Sequence, residues 1–68
     1  MPEQYSSYKL RTDVLETWLR YTFDDPTIFA ESRNGFFVFD LPEGRVLTDD
    51  HKRYIATKLK GKRSWKPP

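Results

Sequence analysis

Seven basic residues fall in the last quarter of this 68-residue chain with no carboxylate among them: Lys52, Arg53, Lys58, Lys60, Lys62, Arg63 and Lys66. Ammonium and guanidinium groups in such a run suit a row of anions, above all the phosphates of a nucleic-acid backbone. Trp65 lies inside the run. An indole in that position can stack on an unpaired base, an interaction worth about 1–3 kcal/mol. Lys52, Arg53, Lys60, Lys62, Arg63, Trp65 and Lys66 are therefore the candidate site, with nucleic acid or an acidic protein surface as the partner. The competing account is a solvated helix end followed by a solubilising tail.

The rest of the chain sharpens the contrast. All ten carboxylates lie at or before Asp50, where only five Lys and Arg accompany them, a balance of −5 against +7 for residues 51–68. An acidic body with a basic end points to a polyanionic partner.

Catalytic chemistry finds little support. The single histidine, His51, has neither a cysteine nor a second histidine to work with, so nucleophile activation and metal ligation are not set up. Asp24/Asp25 and Asp49/Asp50 sit where turns and helix starts call for acids. Gly35, Gly44 and Gly61 each suit a turn or a cap, and no phosphate-cradling loop is present. The expectation is a binding protein that is no enzyme and takes no cofactor or metal.

Periodicity supplies the elements that would carry these groups. Val14, Leu15, Trp18, Leu19 and Thr22 recur at helical spacing, with Leu10 and Phe23 at the ends and Glu16, Thr17 and Arg20 opposite. Thr12 or Asp13 would cap this helix, Asp13 placing Glu16 at the capping-box position. Asp24-Asp25-Pro26 would end it, because a residue before proline avoids the α region. Residues 27–32 and 36–41 read as two strands around Asn34-Gly35, the pair favoured by a type I′ turn. Leu41-Pro42-Glu43-Gly44 suits a type I turn. Thr48 would cap a second helix with Asp49 and Asp50 in its first turn, and Gly61 would close it. His51, Tyr54, Ile55, Lys58 and Leu59 share one face of that helix. A third short strand would come from residues 4–8 or from Arg45-Val46-Leu47.

The hairpin register separates two faces. Ile28, Ala30, Phe37, Phe39 and Leu41, with Ser32, form a core face. Phe29, Arg33, Phe36 and Val38, with Glu31 and Asp40, form the other. Those four are the candidate protein interface, open to a partner or a homodimer unless a terminal segment covers them. Five Phe, four Tyr and two Trp are many rings for a core this small.

The fold class expected is α+β: helix, antiparallel hairpin, helix, in one domain over residues 1–61, followed by a flexible basic tail at 62–68. The stretch Asn34-Gly35-Phe36-Phe37-Val38-Phe39 resembles the aromatic strand of RNA-recognition motifs, but Asp40 stands where that motif needs an aromatic. The layout is similar to that of small head-completion proteins of tailed phages, without a shared motif, so no residue role carries over. No apolar run approaches a membrane span, and with no signal-peptide pattern and no cysteine the expectation is a cytoplasmic protein. The functional expectation is a small nucleic-acid-associated protein, with a protein-binding module or small inhibitor docking on an acidic surface as the alternative.

Overall fold

The structure is a computed structural model and describes residues 3–68. Its elements run β1 (Glu3–Ser6), α1 (Thr12–Thr22), β2 (Ala30–Arg33), β3 (Phe36–Phe39) and α2 (Asp49–Tyr54), the last continued by a wider helical segment at Ile55–Leu59. The three strands form an antiparallel sheet in the order β1-β3-β2. Both helices pack on one face of it, so the molecule is a two-layer α+β domain.

α1 buries Val14, Leu15, Trp18 and Leu19, with Leu10 and Phe23 buried just beyond its ends. Its start differs from the capping-box expectation. Arg11, extended at φ −88° and ψ 143°, occupies the cap position and its side chain makes no cap bond. Asp13 instead takes the Arg11 guanidinium at 3.1 Å and the Val14 amide at 3.0 Å. The Arg11 bond holds the Asp13 carboxyl below its ordinary range. Glu16, expected to reach back to the cap, reaches across to β2: its carboxylate accepts the Ala30 N–H at 2.9 Å. Arg20, also expected on the solvent side, donates through Nε to the Ile28 carbonyl at 2.9 Å.

β2 begins at Ala30 and not at residue 27. A two-residue turn makes its flanking pair hydrogen-bonded, and pairing alternates from there. The backbone groups of Ile28 and Ala30 therefore point away from β3, and α1 side chains take the Ala30 N–H and the Ile28 C=O.

The turn is as the sequence implies. Asn34 and Gly35 have φ of 50° and 81°, and the register pairs Arg33 with Phe36, Ser32 with Phe37, Glu31 with Val38 and Ala30 with Phe39. Phe37 and Phe39 are buried. A Cβ at Gly35 would meet no atom within 4 Å, so the penalty of Gly35→Val comes from backbone strain at positive φ and not from a clash of the Cβ. The expected loss is about 1–3 kcal/mol, read from the midpoint of urea unfolding; an unchanged midpoint would contradict the turn assignment.

The third strand is the N-terminal one. β1 pairs with β3 on the side away from β2, Tyr5 opposite Phe37. Residues 45–47 form no strand; Leu47 is buried and its amide donates to the Glu3 carboxylate at 3.4 Å. The preceding turn lies one residue later than expected. Arg45 N–H donates to the Pro42 carbonyl at 3.0 Å, and Gly44 takes the third position at φ 78°, the left-handed conformation of a type II turn.

Thr48 caps α2 as expected, accepting the His51 amide at 3.2 Å. The reciprocal partner is His51 itself, whose Nδ1 accepts the Thr48 N–H at 3.1 Å, so a histidine fills the capping-box position usually held by Glu or Gln. Past Tyr54 the helix widens: the Lys60 amide donates to the Ile55 carbonyl at 3.1 Å, five residues back. Ile55 and Leu59, with Val14, Leu15 and Leu19, are the most completely buried side chains.

Candidate nucleic-acid interface

The basic run divides between α2, its wide continuation and the segment after it. Lys52, Arg53, Lys58, Lys62, Arg63 and Lys66 are exposed; Lys60 is half-buried, its ammonium 5.6 Å from the Tyr5 ring centre. Among the described residues the only ion pair made by any of the seven joins Arg53 to Asp50, at 3.9 Å with side chains 78% and 93% exposed. Such a pair is worth little in water. The cations are thus available to an external anion.

Trp65 occupies a different setting from the one its sequence neighbours suggest. Residues 62–68 hold no regular element, but Trp65 is half-buried against the core. Its Nε1 donates to the Tyr54 hydroxyl at 3.1 Å, and its ring meets Tyr21 edge-on at 5.4 Å and 63°. The ring expected to stack on a base is packed against α1 and α2. The physical reason is that a nearby phenol and aromatic edge satisfy the indole N–H and cover its faces, which water cannot do as well.

The docked indole ends a row of rings. Tyr54 stacks on Trp18 at 5.5 Å and 12°, and His51 lies edge-on to Trp18 at 5.7 Å and to Phe23 at 5.1 Å. His51 therefore holds a cap and a ring cluster together. His51→Ala is expected to lower stability by about 1–2 kcal/mol, through the lost cap partner and ring contacts, while leaving ligand binding unchanged. Chemical denaturation and a binding titration on the same variant check both halves. Binding lost in a folded variant would place His51 in the site.

The outer sheet face stays uncovered by any described segment, because β1 joins beside the hairpin and not over it. Phe36 is 41% exposed, Val38 half-buried, and Arg33 pairs with Glu31 across 3.2 Å of solvent-facing surface. Phe29 lies before β2, 70% exposed, with the Arg20 guanidinium 5.4 Å from its ring. Phe29 is thus set apart from Phe36 and Val38, which share the β3 outer face.

One contribution escapes sequence reading. The Gly61 N–H donates to the Lys9 carbonyl at 2.7 Å, which seats the loop after β1 at the end of the basic helix. Lys9 adds a cation there, and Tyr8, 66% exposed, lies beneath its ammonium at 5.4 Å. No local pattern marks these two, since the contact spans most of the chain.

The carboxylates show structural roles. The Thr27 hydroxyl and then the Thr27 amide, at 2.6 and 2.9 Å, hold Asp25 below the ordinary carboxylate range. Among the described residues no three His, Asp or Glu side chains are placed to share a metal ion, and no helix is long and apolar enough to cross a membrane.

Comparison with known protein families, with curated proteins and with solved structures finds no match to this chain. What fold and surface define is a class: a small two-layer α+β domain carrying a largely exposed basic strip on its second helix and the segment after it.

Proposed function

We propose that this chain is a non-enzymatic binding protein that contacts the phosphate backbone of nucleic acid through Lys52, Arg53, Lys60, Lys62, Arg63 and Lys66, with Lys9 extending the strip. The observation that carries this reading is the exposure of these cations, Lys60 alone being half-buried, with a single weak internal ion pair among them in the described residues. Trp65 acts as the anchor that seats the last cations on the body, not as a stacking ring. The contact is therefore one of charge, and duplex and single strand both qualify as ligands. Titration of labelled duplex and single-stranded oligonucleotides at roughly 50 mM salt, where such contacts are strong, should show binding of both. Absence of binding to either form sinks the proposal.

The uncovered Phe36 and Val38 favour a second reading, a protein-binding module or small inhibitor docked on an acidic protein. A lysate capture that survives nuclease treatment supports that reading over the first.

A further inference from the structure

The two edges of the sheet are treated differently. At the start of β2, Glu16 and Arg20 occupy the outward-facing N–H of Ala30 and C=O of Ile28, which hinders pairing by another chain at that end. On β1, the Ser7 N–H donates to the Gly35 carbonyl at 2.9 Å, so odd-numbered residues of β1 bond to the β3 side. By the same alternation the N–H and C=O groups of Gln4 and Ser6 point outward. Among the described residues nothing bonds to them. Gln4 is exposed and Ser6 half-exposed. β1 carries one charged side chain, Glu3, whose carboxylate accepts the Leu47 amide at 3.4 Å.

The surroundings of that edge are basic on one side. The Tyr5 hydroxyl lies 3.5 Å from the Lys52 carbonyl oxygen, and the Lys60 ammonium sits over the Tyr5 ring. Lys52, through its carbonyl, and Lys60, through its ammonium, thus both lie against Tyr5 on the helix side of β1. On the sheet's other face the register carries Gln4 beside Val38 and Ser6 beside Phe36.

We propose that the free edge of β1 binds an extended acidic segment of a partner protein as a fourth strand. The main chain of the segment pairs with Gln4 and Ser6. Its alternate side chains point to opposite faces, so acidic residues at every second position meet Lys52 and Lys60, and the positions between them continue the outer face of Phe36 and Val38. Backbone pairing gives affinity and the alternation gives selectivity, as in other strand-addition sites. This goes beyond nucleic-acid binding, since it requires a polypeptide and an open strand edge.

Two labelled octapeptides of identical composition provide the test, one alternating Glu with Val, the other carrying the Glu residues in one block and the Val residues in another. The alternating peptide is expected to bind at least about tenfold more tightly by anisotropy, and to slow amide exchange at Gln4 and Ser6. Gln4→Pro removes one outward N–H at a position where an edge strand tolerates proline. It should abolish the preference while leaving oligonucleotide binding and the thermal midpoint near those of the intact chain. A Gln4→Leu variant, which keeps the N–H, should retain the preference. Equal affinity for the two peptides, no binding of either, or a preference that survives in folded Gln4→Pro protein would each overturn the proposal. Oligonucleotide binding lost with the peptide preference intact would sink the nucleic-acid reading alone.

Discussion

Replacing Lys62, Arg63 and Lys66 together by glutamine is expected to reduce the slope of log K against log salt for duplex DNA by about 2.7, at about 0.9 per phosphate contact. With those six backbone contacts and Lys9 all made, the intact protein should show a slope of about −6.3 on the same rule. Between 50 and 200 mM salt, the intact protein should then lose roughly 40-fold more affinity than the triple variant. Glutamine is chosen over removal of residues 62–68 because truncation would also take Trp65 from its place against Tyr54 and Tyr21. A truncated protein would confound lost charge with lost packing. Arg45→Gln is the control. Its guanidinium lies 5.0 Å from the Phe23 ring and outside the proposed strip, so the slope should not move. Identical slopes for the intact and triple-variant proteins would place the contact elsewhere, on Lys52, Arg53, Lys60 and Lys9.

The parts of this fold legible in the sequence are those fixed by local physics. The Asn34-Gly35 turn needs only two residues that accept positive φ, and it sets the register of β2 and β3 without reference to anything distant. The apolar spacing of Val14, Leu15, Trp18 and Leu19 predicts the buried face of α1 because helical geometry alone decides it. Thr48 is equally local. What escaped is long-range. Glu16 and Arg20 look like a solvent face by period, yet their charged tips cross to the edge of β2. β2 and β3 are also shorter than period alone predicts, running Ala30–Arg33 and Phe36–Phe39. A short polar segment such as Gln4 to Ser6 carries weak strand propensity, and the open side of β3 is what makes it a strand.

The site was legible in charge and not in geometry. A count along the chain finds the cations, and their exposure follows from the cost of burying them. Trp65 shows the limit of that method. Its neighbours Ser64, Lys66 and Pro67 give no period, so the ring reads as free. Its setting depends on Tyr21, which lies on the other helix, and on Tyr54, eleven residues upstream. Lys9 reaches the same end of the molecule through one main-chain bond to Gly61. The two outcomes have opposite effects on function, one removing a stacking ring from the proposed ligand site and the other adding a cation to it.

Trp18→Ala is expected to remove a large share of the folding free energy. Trp18 is 4% exposed and stands where α1 meets α2, stacked on Tyr54 and edge-on to His51. Emptying such a site costs about 3–5 kcal/mol. A chain this short has roughly 3–10 kcal/mol of total stability, so the loss takes from about a third to all of it. The effect should propagate to the tail, because Tyr54 holds Trp18 on one side and receives the Trp65 N–H on the other. Trp18→Phe separates the two consequences. It keeps a ring against Tyr54 and leaves Trp65 as the sole indole, whose emission reports the docking of residues 62–68. In that variant the Trp65 emission shift and the loss of far-ultraviolet helix signal should coincide along a urea titration, with an unchanged slope and a lowered midpoint. Transitions that separate would mean that the segment undocks before the body unfolds. A folded Trp18→Ala protein within about 1 kcal/mol of the intact one would refute the central place given to this ring cluster.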